Sequence, residues 1–402
     1  MHSRRNFLKT SSLVSLAPLL PTVLGKTAVA AKAASDEQVL VVIQLDGGND
    51  GINTVVPFGD DAYGRSRKKL RLKAEDLHKL NDHVGLHQQM KAAKELFDDG
   101  RLSIIQGVGY PNPDRSHFTS MKTWQTARLD TADHTGNGWL GSALDAQMAA
   151  ASKPNQSASA NAIFVGDQET PAALWGRHSS TIGLSKAADL RLDASEETRA
   201  VQPTGPGADD LQQFVRQQIV TAHNAAEEFA TQSADKSTDV TYPNSGLGNQ
   251  LKLIAQLLRS GNPARVYYTV QSGYDTHSDQ QFTHGRLLSE FSRSMKSFLD
   301  DLKAAGLADR VVLMAFSEFG RRVAENDSAG TDHGTAGPVF LAGEPVRGGL
   351  IGATPDLNDL VDGDLKSNLD FRRLYAGLLR DWLKVPPARI CGGDFEPLNL
   401  FA

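Results

Sequence analysis

Short runs of apolar residues, separated by helical patterns, constrain the fold of this 402-residue chain more than any other feature. Runs that are rich in β-branched residues and apolar on both faces are typical of buried parallel strands. Such runs occupy residues 39–45, 102–106, 265–270 and 310–316, with weaker ones at 162–165 and 338–341. Helical patterns occupy residues 90–97, 116–127, 251–259 and 281–305. This alternation predicts an α/β fold with a doubly wound, mostly parallel sheet.

One domain can account for nearly the whole chain after its N-terminal segment. The alternation of strands and helices extends from residue 38 to residue 402 without an internal repeat. Residues 186–247 interrupt it, because they are polar and rich in Gln, Ala and Ser around one amphipathic helical pattern. Such a segment is typical of an insertion. We therefore expect a single domain over 38–402, with a helical or loop insertion that forms a cap at 186–247.

The first 33 residues have the pattern of an export signal. Arg4 and Arg5 precede a short apolar stretch, and the small residues Ala28 to Ala30 follow it. This order predicts a signal peptide over 1–33 that the twin-arginine translocation machinery recognises. The apolar stretch is shorter than the roughly 20 residues that a bilayer span needs. We therefore expect a periplasmic or secreted protein with no stable membrane span after cleavage.

Charge and cysteine content exclude two classes of function. The formal net charge of the chain is −5, and it becomes about −10 once the basic residues before residue 34 are removed. Such an acidic surface argues against a nucleic-acid partner. Cys391 is the only cysteine, so the chain can form neither an internal disulfide nor a thiolate metal cluster.

Acidic and imidazole side chains follow the predicted strands. The candidates at these strand ends are Asp46, Asp50, the segment 114–117, Asp275, His277 and Glu318, and Asp332 with His333 precedes the last strand. In open parallel sheets, ligands bind beyond the carboxyl ends of the strands, where such loops converge. Carboxylate oxygen and imidazole nitrogen are ligands of divalent cations. The sequence therefore predicts a divalent metal site at this edge of the sheet.

Five motifs, in order along the chain, resemble the signature of a bacterial family, domain of unknown function 1501. These motifs lie at 47–51, 110–118, 273–277, 317–321 and 330–334, so the resemblance covers nearly all of the chain after the signal. Members of this family are usually exported with a twin-arginine signal. The family is grouped with the alkaline-phosphatase-like superfamily of phosphatases, sulfatases and phosphodiesterases.

The resemblance implies an alkaline-phosphatase-like fold and a hydrolytic site with two metal ions. Asp275, His277 and His333 would hold one ion, and Glu318 with an aspartate of the first turn would hold the other. The resemblance favours Asp50 over Asp46, because the family keeps a Gly-Gly-x-Asp-Gly pattern. This chain departs from the superfamily at Ser317-Glu318, where an Asp-His pair is common, so the second ion would have fewer imidazole ligands.

The same resemblance implies roles for the residues around the second strand's turn. Ser116 falls at the nucleophile position of the superfamily, although a serine there can equally cap the following helix. His117 can be a ligand or a base. Arg115 and Arg321 can clamp an anionic group, because guanidinium matches phosphate geometry.

The remaining candidates have simpler interpretations. Asp332 can orient His333 instead of binding the ion itself. Ser116 and Cys391 both lack the sequence context that formylglycine formation requires, which argues against classical sulfatase chemistry. Outside these motifs we expect ordinary surface or loop histidines at His78, His83, His134, His178, His223 and His284.

The sequence thus predicts an exported metal-dependent hydrolase whose substrate is a small phosphate ester or a similar anionic ester. Zinc is the expected metal, and Mg, Mn and Ca are alternatives. The rival interpretation is an exported metal-binding or envelope interaction protein that keeps this fold without turnover.

Overall fold

A sheet of nine strands forms the centre of the protein, counted over the residues that the computed structural model describes, 37–150, 160–185 and 238–402. All strands of the described residues, numbered in chain order, are β1 (Val39–Asp46), β2 (Val55–Val56), β3 (His78–Lys79), β4 (Gly85–Leu86), β5 (Leu102–Gly109), β6 (Ala162–Val165), β7 (Thr181–Leu184), β8 (Val266–Ser272), β9 (Val311–Phe316), β10 (Gly337–Ala342), β11 (Gly349–Ile351), β12 (Leu360–Val361), β13 (Asp364–Leu365) and β14 (Leu369–Asp370). The main sheet has the order β11-β5-β10-β9-β1-β8-β6-β7, and β14 also pairs with β5. The others form two small sheets, β2-β4-β3 and β12-β13.

Eight of the nine strands of the main sheet run in the same direction. β1 pairs in parallel with both β8 and β9, and β5 pairs in parallel with β11 and β14. Only β10 is antiparallel, between β5 and β9. The carboxyl ends of β1, β5, β8 and β9 therefore lie at one edge of the sheet, as the sequence predicts.

Helices cover both faces of this sheet. In the described residues they are α1 (Gly51–Thr54), α2 (Asp61–Ser66), α3 (Lys91–Asp98), α4 (His117–Thr126), α5 (Trp139–Ala150), α6 (Gly246–Arg259), α7 (Gln280–Ala304), α8 (Phe371–Gly377) and α9 (Ala388–Cys391). Short 3-10 segments lie at Thr131–Thr135, Ala172–Leu174 and Ala308–Arg310, and a π-helical turn at Leu378–Trp382 follows α8.

The side chains of β1 divide the core into two layers. Its residues at 39, 41, 43 and 45 pack with apolar residues of α3, α6 and α7. Leu40 and Val42 point to the opposite face and pack with residues of α4, α5 and α8. Successive side chains of a strand point to opposite faces of its sheet, so β1 needs apolar residues throughout when both faces are covered. The predicted doubly wound, mostly parallel sheet is confirmed.

Parts of the predicted domain organisation fall on residues that the structure does not describe. The predicted signal peptide, 1–33, lies outside the described residues, as do residues 186–237 of the predicted cap. Residues Gln38–Ala402 form one compact unit. Within the described residues, no helix is both long and apolar enough to cross a membrane.

Candidate metal site

Two glycines bring the turn after β1 into contact with its neighbours. Gly47 has a φ of 114°, and a Cβ at this position would lie 2.5 Å from the backbone nitrogen of Asp275. Gly48 has a φ of 75°, and its Cβ would lie 2.4 Å from the ring of Phe319. Glycine is the residue that reaches such φ values without strain and leaves room for close approach. The turns after β1, β8 and β9 can therefore pack directly against one another.

The buried Arg321 side chain joins the same turns through hydrogen bonds. Its Nε donates to the carbonyl of Gly48 at 2.7 Å, and Nη1 donates to that of Thr331 at 2.7 Å. Nη2 donates to the carbonyls of Gly47 and Tyr274 and to Asp275 Oδ1, the last at 2.7 Å. The sequence predicts Arg321 as a clamp for an anionic substrate. In the structure its donors contact protein oxygens instead, and its side chain is buried.

Three imidazoles converge on the carboxylate of Asp275. The Nε2 atoms of His277, His333 and His117 lie 3.0, 3.2 and 3.4 Å from Asp275 Oδ1. The Nε2 atoms of His277 and His333 are 2.9 Å apart. These residues come from three separate segments of the chain, the start of α4, the turn after β8 and the loop before β10.

The other nitrogen of each ring faces an oxygen acceptor. His117 Nδ1 lies 2.7 Å from Glu318 Oε1, and His333 Nδ1 lies 2.8 Å from the carbonyl oxygen of Arg115. His277 Nδ1 lies 3.3 Å from Asp332 Oδ1. Carboxylate and carbonyl oxygens only accept hydrogen bonds, so each Nδ1 is the donor and each neutral ring presents a lone pair on Nε2.

This arrangement favours a positive charge between the rings. Lone pairs on His277 and His333 Nε2 would repel each other, and both would repel the Asp275 carboxylate, at distances near 3 Å. Either protons on Nε2 or a cation removes that repulsion. Metal-binding histidines have this same pattern, with Nδ1–H held by a carboxylate or carbonyl and Nε2 on the metal.

The donor set fits a divalent ion. His117, Asp275 and His333 each offer a ligand atom, and these atoms lie within 4.8 Å of one another. His117 Nε2 is buried, and among the described residues no group makes a hydrogen bond with it. Ligands of a tetrahedral zinc ion lie about 3.3 Å apart, since each is 2.0–2.1 Å from the metal. Because no two of these atoms are more than 4.8 Å apart, a contraction of at most about 1.5 Å would close the set around one ion.

The ionisation of this cluster follows from its neighbours. Partial burial opposes the ionisation of Asp275, but the hydrogen bond from Arg321 and the contact with His333 outweigh it and lower the pKa of Asp275 to about 2. The hydrogen bond to Glu318 raises the pKa of His117, against the opposing effect of burial. Asp275 is therefore ionised at neutral pH and can bind a cation.

Glu318 and Asp332 contact the Nδ1 atoms of the imidazole rings, whereas Asp275 faces the Nε2 atoms. Glu318 Oε1 also accepts from the Gly47 backbone at 2.9 Å, and Oε2 accepts from the Ser317 hydroxyl at 2.9 Å. Each of its oxygens therefore has a polar contact within the protein, although the Ser317 hydroxyl is also 2.7 Å from the Leu45 carbonyl oxygen. Asp332 Oδ1 accepts from Asn326 Nδ2 at 3.2 Å as well as from His277. The geometry thus gives Asp332 an orienting role toward His277 and not toward His333 as predicted, and it gives Glu318 the same role toward His117.

The two candidate aspartates of the first turn have different environments. Asp50 is fully buried and makes two hydrogen bonds with Arg67, at 2.5 and 3.0 Å, and one with Gln280 Nε2 at 2.5 Å. Burial would raise the pKa of Asp50, but the charge and hydrogen bonds of Arg67 outweigh it and lower that pKa. Its carboxylate is thus engaged in a structural ion pair.

Asp46 is the aspartate of this turn that lies toward the cluster. It is half-buried and accepts from Gln44 Nε2 at 3.0 Å. Burial and then the charge of Glu318 raise the pKa of Asp46. The preference for Asp50, based on the family pattern, therefore does not agree with the geometry.

Ser116 and Arg115 lie beside the cluster at the start of α4. Ser116 is exposed and caps the helix, since its Oγ accepts from the Thr119 backbone at 3.5 Å. Arg115 forms an ion pair with Asp364. The cap interpretation of Ser116 is therefore realised, and the same position leaves its side chain open to solvent.

Some polar residues beneath the site were not found from the sequence. Arg67 lies in a region without a motif, and Gln280 begins α7. His284 was expected at the surface, but it is buried and lies 2.9 Å from Asn49 Oδ1. Burial lowers the pKa of His284 to about 3. The expectation was also wrong for His134, which is buried and lies 3.0 Å from the carbonyl oxygen of Arg128.

The fold and the site define a mostly parallel α/β protein with a cluster of imidazoles and carboxylates at the carboxyl edge of its sheet. The chain belongs to the family described as "Protein of unknown function (DUF1501)", which matches residues 37–379. The predicted family is confirmed. No curated protein gives a significant sequence match to this chain.

Several solved structures are similar to the chain over much of its length. The C-terminal periplasmic domain of EcEptC from Escherichia coli, in complex with Zn, has 12% sequence identity and a TM-score of 0.37, and the match covers 77% of this chain and 74% of that one. The PsFucS1 sulfatase from Pseudoalteromonas sp. has 11% identity and a TM-score of 0.39, with 81% and 67% covered. A protein in the alkaline phosphatase superfamily from Vibrio parahaemolyticus has 8% identity and a TM-score of 0.32, with 78% and 62% covered.

Replacing Arg67 tests the buried ion pair. We expect Arg67→Met to lower the free energy of unfolding by about 3–5 kcal/mol, because it leaves the Asp50 carboxylate buried without its partner. The double variant with Asp50→Asn removes that uncompensated charge and should recover part of the loss. Chemical denaturation of the three proteins measures this, and a double variant less stable than Arg67→Met alone would contradict the assignment.

Replacing Glu318 tests its control of His117. We expect Glu318→Gln to lower the pKa of His117, because a neutral amide supports the protonated ring less than a carboxylate does. A group whose pKa is raised by folding stabilises the folded state at pH values below its unfolded pKa. This stabilisation disappears as the pH rises through the folded pKa, so the variant should lose stability mainly at acidic pH. NMR titration of the histidines measures the pKa, with the exposed His83 as internal reference, and chemical denaturation at acidic and neutral pH measures the stability. An unchanged pKa of His117 would contradict the contact.

Proposed function

We propose that this protein is an exported metal-dependent hydrolase of phosphate or similar anionic esters. The observation that supports the proposal most is the convergence of three imidazole Nε2 atoms on the ionised Asp275. About half of the Asp275 side chain is exposed, so substrate can reach it from solvent. Export is inferred from the twin-arginine pattern of residues 1–33 alone.

Zinc is the metal that suits these ligands best. His117, Asp275 and His333 would hold it, and the His277 ring lies beside them without being one of the three ligands. Three protein ligands of nitrogen and carboxylate type, plus an open position, are typical of catalytic zinc sites. The chemistry that such an ion supplies is Lewis acidity, which polarises the ester and favours ionisation of a nearby hydroxyl.

The contacts support one ion rather than the pair that the family resemblance implies. Arg67 and Gln280 already occupy the Asp50 carboxylate, and both oxygens of Glu318 accept hydrogen bonds from the protein. A second ion would have to share these carboxylates with the partners that they already have. Asp46 is the carboxylate that could serve as a further metal ligand. Burial and the charge of Glu318 raise its pKa, and a bound cation would relieve that repulsion.

Within the chain, Ser116 is the hydroxyl that we assign as the nucleophile. It is exposed, and it directly precedes His117. Its cap hydrogen bond uses Oγ as acceptor, so the hydroxyl proton remains available for transfer. The N-terminal end of α4 adds a favourable dipole for an anionic group.

The alternative is an exported metal-binding or interaction protein without turnover. Two observations favour it. Ser116 has a complete structural role as a helix cap, and Arg321 is fully engaged with protein acceptors. Metal binding and hydrolysis therefore need separate tests.

Metal binding should depend on the clustered histidines. We expect wild-type protein, reconstituted and dialysed, to keep about one zinc ion per chain. His333→Ala should weaken zinc binding by more than about tenfold, because it removes a ligand of the set. The matched control is His83→Ala, since His83 is an exposed histidine outside the set and should bind as wild type does. Wild-type zinc content well below one ion per chain would end the metal proposal.

Hydrolysis is tested with a phosphomonoester, a phosphodiester and a sulfate ester. We expect the zinc-loaded protein to hydrolyse at least one phosphate ester. Ser116→Ala should lower kcat by at least about a thousandfold, since removal of a nucleophile has effects of this size or larger, while its zinc content stays unchanged. Full activity in Ser116→Ala would show that Ser116 is not the nucleophile. A zinc-loaded protein that is inactive on all three esters would favour the non-catalytic alternative.

A further inference from the structure

Two arginines meet at one buried carboxylate beside the histidine cluster. Arg115 Nη2 donates to Asp364 Oδ2, and Arg322 Nε donates to Asp364 Oδ1 at 3.2 Å. The Asp364 side chain is only 1% exposed, whereas those of Arg115 and Arg322 are 42% and 36% exposed. The carboxylate thus lies below the two guanidinium groups, and both groups remain accessible to solvent.

Both arginines are tied to the cluster through their backbones. The carbonyl oxygen of Arg115 accepts from His333 Nδ1 at 2.8 Å, and the backbone nitrogen of Arg322 donates to the carbonyl of Asp332 at 3.0 Å. Arg115 also directly precedes Ser116. Each arginine is therefore fixed by a hydrogen bond to the segment that carries His333.

The charges around this pair favour an anion. Two guanidinium groups share the Asp364 carboxylate, so these three side chains together carry one excess positive charge, which the charge of Asp332 partly offsets at Arg322. The neighbouring acids have other partners, since Asp114 accepts from the Ser116 backbone and Asp332 accepts from Asn326 and His277. Asp362 contributes its carbonyl oxygen, to which Arg322 Nη2 donates.

The pair is also ordered before any ligand arrives. Guanidinium groups bind the oxygens of phosphate or sulfate through paired N–H donors. Arginine side chains lose rotamer entropy when they bind a ligand, and the contacts to Asp364 reduce that cost because they hold the side chains in place.

We propose that Arg115 and Arg322 form the subsite that binds the tetrahedral oxyanion of the substrate, with Asp364 as the residue that holds them. This inference rests on the proposed function, because it places the substrate's charged group next to the zinc position and Ser116. Arg322 and Asp364 are new members of the site. Arg115 keeps its sequence-predicted role, whereas Arg322 takes the role predicted for its neighbour Arg321.

Binding of inorganic phosphate to the zinc-loaded protein tests the subsite, measured by isothermal titration calorimetry. We expect Arg115→Ala and Arg322→Ala each to raise the dissociation constant of phosphate by about ten- to one-hundredfold, the effect of losing a charged hydrogen-bond donor. Arg322→Lys should recover only part of the loss, since lysine keeps the charge without the paired donors. Arg380→Ala is the matched control, because Arg380 is an exposed arginine paired with its neighbour Asp381 and should bind phosphate as wild type does.

Zinc content, measured in every variant, separates this proposal from the one on which it rests. A wild-type protein that holds no zinc defeats the proposed function itself. If zinc is retained throughout, the subsite is overturned either by a wild-type protein that does not bind phosphate or by an Arg322→Ala variant with unchanged affinity. Full recovery in Arg322→Lys would overturn the assignment of paired donors to Arg322.

Discussion

The buried guanidinium of Arg321 is the constraint on which the geometry of the site depends. Its donors reach the turns after β1 and β8 and the loop before β10. Burial of an isolated charge costs several kcal/mol, and Arg321 offsets that cost only because all of these carbonyls and the Asp275 carboxylate surround it. The segments that carry Asp275, His277 and His333 are therefore held in one arrangement before any ligand binds.

The same guanidinium sets the electrostatics of the cluster. It keeps Asp275 ionised, and the ionised carboxylate lies within 3.4 Å of an Nε2 atom of each of the three imidazoles. A cation that joins the cluster shares this carboxylate with Arg321, so the oxygen that faces Arg321 is only partly available to it. The imidazole nitrogens must then supply much of the binding energy, which agrees with a metal of borderline softness such as zinc more than with Ca or Mg.

The sequence predicts the strands of the main sheet better than the smaller elements. β1, β5, β6, β8 and β9 have apolar runs long enough to indicate strands on their own. The two-residue strands β2, β3 and β4 pair only because distant segments meet, so no local pattern could reveal them. Helix α5 was also missed, since Gly141 lies within its first turn and weakens the helical pattern.

The sequence predicts the site residues that lie within the motifs. It does not predict contacts between a motif residue and a residue outside the motifs. His117 entered the analysis because it follows Ser116, and the clustering of Asp275, His277 and His333 follows from the convergence of strand ends. The choice between Asp46 and Asp50 could not be made from the sequence. It depends on Arg67, which lies 17 positions beyond Asp50 and is identified as its partner only by the three-dimensional contact.

The acids that flank His117 give the last reason to expect a cation here. The charge of Glu318 helps to raise the pKa of Asp46, after the larger effect of burial, so these two carboxylates repel each other. The hydrogen bond between Glu318 and His117 raises the pKa of the ring, so the protein already favours positive charge at this position. A divalent ion on His117 Nε2 would replace that proton and would lower the repulsion more strongly, because it carries twice the charge. The buried Nε2, for which the described residues provide no hydrogen-bond partner, lies where such an ion would bind.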